Sequence, residues 1–184
     1  MGLWDRCRPT RELRLEVEHY FFSSPTSMID TYNPYSIQFL RETFLPKRDP
    51  DYTGPRKFFF ERTSKHRPLH NNAEVCEFFR RKGWTVVRDM DLSLTQTVKL
   101  FSEADALCSM VGSNMSNVMF CKPGCVVMHM VPDVWLDGWI DWVAQTVNLD
   151  YHSAILPCRA TDAQKIIVKI EWIEEFFSRS GVSF

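Results

Sequence analysis

Hydrophobic and polar positions along residues 57–178 follow two alternating patterns. Short apolar runs, typical of strands buried on both faces, alternate with segments in which apolar residues recur every third or fourth position, as on one face of a helix. The apolar runs predict five strands, at residues 57–61, 84–88, 106–111, 125–131 and 151–156. The other segments predict helices at residues 72–82, 94–104, 136–147 and 163–177, and a short helix ending at residue 120.

Capping signals mark the starts of two of these helices. Asn71 with Glu74, and Ser93 with Gln96, have the spacing of a capping box, in which two side chains reciprocally satisfy backbone N–H groups at a helix start. Gly83 marks the end of the first of the two helices. On the second helix the pattern predicts four buried side chains: Leu94, Val98, Phe101 and Ala104.

Alternating strands and helices indicate a parallel sheet with helices on both faces, so we expect a Rossmann-like α/β domain over residues 57–184. Residues 1–56 contain six prolines and little periodicity apart from a short strand-like run at 13–17 and a helix at 34–43, and residues 46–55 have the composition of a linker. We expect this part to be an irregular extension. Ligands of such sheets bind beyond the carboxyl ends of the strands, in loops predicted at 62–71, 88–93, 111–117 and 129–135.

The composition is that of a folded chain without a strong overall charge. Hydrophobic residues make up 45% of the 184, and 22 Lys and Arg against 23 Asp and Glu give a net charge of −1. This balance excludes disorder and provides no general attraction for nucleic acid, so no nucleic-acid partner is expected. One local basic cluster comprises Arg56, Lys57, Arg62, Lys65 and Arg67. It is either an anion site or a solvated face.

Six cysteines are spread along the chain without Cys-x-x-Cys spacing, which predicts mostly free thiols. Cys121 and Cys125 flank a turn, but no histidine or second cysteine pair completes a zinc set, so no metal site is expected. The first residues lack the apolar segment of a secretory signal, and no stretch is apolar for long enough to span a membrane. The compartment stays undetermined.

Two segments at predicted strand ends have the chemistry to bind phosphate. The loop 111–117 joins a strand to a helix, and its glycine permits close approach while backbone N–H groups point outward, although the same residues could serve only as helix caps. Arg62 and Arg67 directly follow the first strand, where guanidinium groups can clamp a diphosphate without a metal. The alternative is that Arg62 pairs with Glu61 or Glu74.

Other chemistry-bearing residues are less specific. His129, at the end of the fourth strand, is a candidate general base or a hydrogen-bonded structural residue. Trp135, Trp139 and Trp142 are expected to pack a helix rather than to form a sugar platform. No hydrolase triad, zinc-protease, P-loop or dinucleotide-binding motif occurs, which disfavours those enzymes and nucleotide-dependent oxidoreductases. Asn114-Met115-Ser116 has the form of a glycosylation sequon, but its place inside the candidate phosphate loop argues against modification.

A series of motifs over roughly residues 56–152 resembles the glycosyltransferase family 61 domain. The motifs are Arg62, RPLHNNAEV at 67–75, GWTVV at 83–87, LSL at 92–94, KLF at 99–101, ADA at 104–106, GS at 112–113, SN at 116–117, Phe120 and PG at 123–124. That family includes plant xylosyl- and arabinosyltransferases and animal protein O-GlcNAc transferases. Their order and spacing together carry the resemblance.

The resemblance implies the C-terminal, donor-binding half of a GT-B fold. It also implies an inverting, metal-independent transfer from a nucleotide-sugar donor, expected to be a UDP-sugar, to a glycan or protein acceptor, with no cofactor besides the donor. Residues 1–56 are too few for an acceptor-binding domain, so a second domain or chain is expected to complete the cleft.

Carried over by position, the resemblance implies substrate-binding roles for Arg62, Arg67, Gly112, Ser113, Asn114, Ser116, Asn117 and His129. It implies supporting roles, ordering the loop between them, for Asn71, Asn72 and Glu74. At three polar positions the chain departs from the family pattern: Val111 replaces a histidine, Thr97 a glutamine and His129 an acidic residue. These departures keep an alternative open, a catalytically degenerate interaction module or fragment that retains the fold.

Overall fold

The computed structural model describes residues 33–61, 69–133, 138–157 and 166–183. The strands are β1 Lys57–Glu61, β2 Thr85–Arg88, β3 Ala106–Met110, β4 Val126–Pro132 and β5 Asp150–Leu156. The α-helices are α1 Pro34–Phe44, α2 Asn72–Arg81, α3 Leu94–Glu103, α4 Trp139–Val147 and α5 Ile170–Ser180. Three 3-10 helices span Leu45–Lys47, Asp89–Asp91 and Ser113–Phe120. None of the described helices combines the length and hydropathy needed to cross a membrane.

The five strands form one parallel sheet in the order β2-β1-β3-β4-β5. β1 lies between β2 and β3, and Phe59 stands opposite Val86 on one side and Cys108 on the other. Helices pack on both faces of the sheet. The predicted Rossmann-like α/β fold is confirmed, and all five strands start and end within one residue of the predicted bounds, with β1 matching at both ends.

Alternate side chains of β1 enter two separate cores. Phe58 and Phe60 pack with α1, α3, α4 and the 3-10 helix that follows β3, and Phe101 meets Phe58 edge-on with 5.6 Å between ring centroids. Phe59 faces α2 and α5 and stacks on Phe79 at 4.4 Å. Because β1 is buried on both faces, every position between its ends is apolar.

α1 packs on the first of these cores, N-terminal to the predicted domain boundary at residue 56. Ile37 is fully buried there. The Arg41 guanidinium donates hydrogen bonds to the carbonyl oxygens of Met119 and Cys121, the latter at 2.9 Å. This helix therefore shares a core with β1, while the division of the chain at residue 56 stays a prediction.

α3 begins with the predicted capping box. The Ser93 hydroxyl accepts from the Gln96 backbone N–H, and the Gln96 side chain accepts from the Ser93 N–H at 3.1 Å. Three of the four side chains expected on its buried face are buried: Val98, Phe101 and Ala104. The expected burial of Leu94 is wrong, since 52% of this residue is exposed. α3 starts at the carboxyl edge of the sheet. We attribute the exposure of Leu94 to this position, because the first turn of the helix extends beyond the ends of the strands.

The last helix begins later than predicted, at Ile170 rather than at residue 163. Ile166 forms an isolated parallel bridge with Leu69, and Lys169 has an extended backbone with φ −72° and ψ 137°. A segment that pairs in this way cannot at the same time follow the helical pattern of its side chains. Residues 163–165 of the predicted helix lie outside the described part of the chain.

Asn71 occupies the N-cap position of α2, but its side chain does not cap the helix. It accepts from the Val168 N–H at 3.0 Å and donates to the Val168 carbonyl at 2.7 Å, and it also donates to the Glu74 carboxylate at 2.9 Å. The predicted capping box of α2 is therefore wrong, because the amide binds the segment before α5 instead. Gly83, with φ 79°, follows α2 as predicted.

α4 begins at Trp139, later than the predicted residue 136, and residues 136–137 lie outside the described part. Trp139 packs against the first core, as expected of a packing residue. Trp142 is 50% exposed on the same helix, so its expected packing role is only partly met. Trp135 also lies outside the described residues.

Candidate functional site

The sheet order creates a switch point between β1 and β3. From β1 the chain crosses through α2 to β2 on one side, whereas β3 and β4 continue the sheet on the other side through α3. In open α/β sheets, ligands bind in the crevice that such a reversal opens at the carboxyl ends of the strands. The buried Ser109 hydroxyl on β3 donates to the Phe60 carbonyl on β1 at 2.7 Å and ties the two strands together just before the crevice.

The segment after β3 forms one wall of this crevice. Gly112 leads into the 3-10 helix Ser113–Phe120, whose first backbone N–H groups have no acceptor within the helix. The Ser116 hydroxyl donates to the Ser113 carbonyl at 2.7 Å, and the Asn117 amide donates to the Asn114 carbonyl at 2.9 Å. These two side chains therefore hold the shape of the segment, and the donors that it can offer to a ligand belong to the backbone near Gly112.

The Asn114 side chain is enclosed in this segment. Both its Oδ1 and Nδ2 atoms are buried, and no described group bonds to either. Because a buried amide without partners costs about 1–3 kcal/mol per unsatisfied group, this position favours a bound water or a polar ligand atom. The buried nitrogen also makes the Asn114 sequon inaccessible in the folded chain, which agrees with the argument against its modification.

A buried carboxylate, which the sequence analysis did not select as a site residue, lies at the end of β1. Glu61 is only 6% exposed, and it accepts from Asn72 Nδ2 at 2.5 Å and from Arg88 Nε at 3.0 Å. The Arg88 pKa is raised, first by the hydrogen bond to Glu61 and then by the charges of Glu61 and Asp91. Glu61 and Arg88 are register partners on neighbouring strands. In the sequence, the feature that indicates this pair is a charged residue of opposite sign at the end of each predicted strand.

Next to this carboxylate, Cys76 belongs to the same polar group. Its Sγ contacts Asn72 Oδ1 at 3.8 Å, so the Asn72 amide is held at both of its ends. Burial, followed by the negative charge of Glu61, raises the pKa of Cys76 to about 11. The thiol is therefore protonated at neutral pH and serves as a weak donor rather than as a nucleophile.

The three predicted supporting residues belong to two separate sets of hydrogen bonds. Asn71 binds Val168 and Glu74, as described above, while Asn72 binds Glu61. All three lie at the N-cap or in the first turn of α2. Arg62 and Arg67, predicted to contact a diphosphate, lie outside the described residues.

His129 lies in the middle of β4 rather than at its end. It is fully buried, stands in register with Ser109 and Ser153, and its Nδ1 lies 2.8 Å from the Tyr151 hydroxyl. Burial lowers the pKa of His129 to about 4, so the imidazole is neutral at physiological pH. Its buried Nε2 has no bonding partner among the described residues.

The two other departures from the family pattern direct no polar group into the crevice. Val111 is buried at the end of β3, with its N–H bonded to the Met130 carbonyl at 2.9 Å. The Thr97 hydroxyl donates to the Ser93 carbonyl within α3 at 3.0 Å. Both side chains are accounted for by packing and helix structure.

Of the predicted basic cluster, the structure describes Arg56 and Lys57, whereas Arg62, Lys65 and Arg67 lie outside the described residues. Arg56 precedes β1 and so stands at the amino edge of the sheet, where it pairs with Asp105 through two hydrogen bonds of 2.7 and 2.8 Å. Hydrogen bonds from Arg56 and Lys122 hold the pKa of Asp105 well below its usual range. Lys57 Nζ lies 5.1 Å from the centre of the Trp84 ring. These cations are structural, and they stand at the opposite end of β1 from the crevice.

Thiols and cavities elsewhere do not add to this site. The four described cysteines, Cys76, Cys108, Cys121 and Cys125, are free, as predicted for most of the six. Within the described ranges, no group of three or more His, Cys, Asp or Glu side chains could hold a metal ion. A groove of about 550 Å³ between β5 and α5, lined by Ala154, Trp172 and Phe176 among others, lies at the edge of the sheet, away from the crevice.

Comparison with protein families identifies the chain. The sequence model of glycosyltransferase 61 matches residues 6–128, which is 123 of the 184 residues. The match includes β1, β3, the segment after β3 and the first part of β4. No curated protein matches the sequence. With two thirds of its length matched, the chain belongs to glycosyltransferase family 61.

Proposed function

We propose that this chain binds a nucleotide-sugar, specifically a UDP-sugar, and that it forms the donor-binding half of an inverting, metal-independent glycosyltransferase. Family membership supports glycosyl transfer in general. The donor, the stereochemistry and the absence of a metal are parts of the proposal, as is the GT-B arrangement in which a second domain or chain closes the cleft.

The observation that carries the proposal is the crevice between β1 and β3. The backbone N–H groups near Gly112 lie at the start of a helical segment, where they favour an anion. In the proposed complex the diphosphate lies over this segment, and Arg62 and Arg67 neutralise its charge in place of a metal.

The proposed reaction is a single displacement. The acceptor hydroxyl oxygen attacks the anomeric carbon from the face opposite the diphosphate, the bond from that carbon to the phosphate oxygen breaks, and UDP leaves with the electron pair. The hydroxyl proton passes to a base, which we assign to the domain or chain that completes the cleft. The acceptor is a glycan or a protein.

Calorimetric titration of the purified chain with UDP and with several UDP-sugars, in the presence of a chelator, tests the donor site. We expect saturable binding that Arg62→Ala weakens by about tenfold or more, the effect of one lost charge-assisted hydrogen bond. Arg179→Ala, an exposed arginine paired with Glu175 on α5, is the matched control and should leave the affinity unchanged. No binding by a folded sample would overturn the proposal.

The second candidate function is a non-catalytic interaction module that keeps the fold. It is favoured by the side chains at the three altered positions, since Val111 packs in the core and His129 is sealed inside β4. This candidate predicts no glycosyl transfer or donor hydrolysis, even with the completing domain added, and no gain from Val111→His. Turnover of a UDP-sugar would exclude it.

A further inference from the structure

Arg88 links a buried carboxylate to the surface of the proposed donor site. Its Nε donates to Glu61 at 3.0 Å, and 58% of the Arg88 side chain is exposed, against 9% for Glu61. β1 and β2 are parallel and in register at these two residues, so the arginine stands at the same carboxyl edge as the crevice.

The carboxylate that orients Arg88 is itself fixed. Its other oxygen accepts from Asn72 Nδ2, and the opposite end of that amide contacts Cys76 on the next turn of α2. Three side chains from α2 and β2 therefore surround Glu61, and the helix start beside it further favours a negative charge there. Because Glu61 is fixed in this way, its hydrogen bond also fixes the orientation of the Arg88 guanidinium.

The Arg88 guanidinium still has donors to offer. Only Nε is used by Glu61, and no described residue accepts from Nη1 or Nη2. Two parallel N–H groups on the free edge of a planar guanidinium match two oxygens of a phosphate. Neighbouring strands are about 4.8 Å apart, which places this edge within side-chain reach of a ligand over the end of β1.

We propose that Arg88, positioned by Glu61, is an additional phosphate ligand of the donor site. The inference rests on the proposed function, because it assigns a phosphate group of the nucleotide-sugar as the ligand. It differs from the assignments above in using the strand on the far side of β1 from the segment around Gly112.

Titration of the whole chain with UDP and with uridine, without metal, tests the role of Arg88. We expect Arg88→Ala to weaken UDP binding by roughly 10- to 100-fold and uridine binding by less than about twofold, because only UDP carries the phosphates. Arg88→Lys should recover part of the loss, since a single charge lacks the bidentate fork. Arg56→Ala is the matched control, as Arg56 has similar exposure and a carboxylate partner at the amino edge.

The variant Glu61→Gln distinguishes two effects that Glu61 can have on UDP binding: orienting Arg88 and repelling the phosphates. If Glu61 orients Arg88, the variant should weaken UDP binding, though less than Arg88→Ala does, with uridine binding and the circular dichroism spectrum unchanged. If Glu61 only repels the phosphates, the same variant should tighten UDP binding, which would overturn the positioning role.

The remaining outcomes separate this inference from the function on which it rests. Equal UDP affinities of the wild type and Arg88→Ala, with binding weakened in Arg62→Ala, would overturn the role of Arg88 and leave the proposed donor site unaffected. Equal losses for UDP and uridine would also overturn it, since they would mark a structural effect. Failure of the wild type to bind UDP would overturn the proposed function and this inference together.

Discussion

The Ser109 hydroxyl donates to the Phe60 carbonyl at 2.7 Å, and this bond joins β3 to β1 where their paths diverge. Ser109 is fully buried, so its removal leaves a carbonyl that water does not reach. We expect Ser109→Ala to lower the free energy of unfolding by about 1–2 kcal/mol. Urea unfolding measures the change. Ser102→Ala, which removes a hydroxyl bonded to the Lys99 carbonyl on a helix, should cost less, and equal losses would contradict this account.

The start of α3 offers a test of the corrected burial pattern. Ser93→Ala should destabilise the chain by about 1 kcal/mol, because it removes the cap of the first backbone N–H groups. Leu94→Ala should cost less than about 1 kcal/mol, since this leucine is half exposed rather than part of the core. Thermal and urea unfolding of both variants would measure these changes. A loss of about 2 kcal/mol or more for Leu94→Ala would show instead that Leu94 is buried, as the sequence pattern predicts.

Asn71 ties the start of α2 to the segment before α5 through both groups of its amide. Asn71→Ala should therefore lower the free energy of unfolding by about 1–3 kcal/mol and speed hydrogen exchange in the segment around Val168. Asn71→Asp keeps the acceptor for the Val168 N–H but sets a carboxylate oxygen against the Val168 carbonyl and Glu74, so it should not recover the stability lost in Asn71→Ala. Unchanged exchange at Val168 in Asn71→Ala would contradict the assignment.

His129 predicts a pH dependence of stability. Its pKa falls from 6.5 to about 4 on folding, so below pH 6.5 the unfolded chain binds the proton that the folded chain excludes. The stability that it confers is complete above pH 6.5 and is lost as the pH falls toward 4. The loss should reach about 2 kcal/mol between pH 7.5 and pH 5.

His129→Gln is the control for that titration, because it keeps a polar side chain on β4 without an ionisable group. The stability of the variant should change less over the same pH range, with the difference from the wild type arising below pH 6.5. Parallel pH profiles of the two proteins, measured by urea unfolding, would exclude His129 as the cause.

Most of the sheet could be predicted from local sequence, for a physical reason. The run Phe58-Phe59-Phe60 contributes side chains to both cores. A strand buried on both faces is a continuous apolar run, so it can be predicted without knowing which strands it pairs with. The start of α5 could not be predicted, because helical periodicity competes there with the bridge between Ile166 and Leu69. Such a pairing joins residues nearly a hundred positions apart and leaves no local pattern.

The site divides in the same way. Gly112 and its neighbours could be selected because a glycine between a strand and a helix is a local signal. Glu61 and Arg88 end two strands that are 27 residues apart, and their pairing follows only from the register of those strands. His129 falls within the predicted fourth strand, but no local pattern indicates its complete burial or its contact with Tyr151 of β5.

We propose above that the donor binds at the carboxyl edge of the sheet, between β1 and β3. Hydrogen exchange followed by mass spectrometry, with and without UDP and without metal, tests this claim most directly. We predict slower exchange in peptides covering residues 111–117 and the end of β1, and unchanged exchange along β5 and α5. Protection confined to β5 and α5, or none at saturating UDP, would contradict the account.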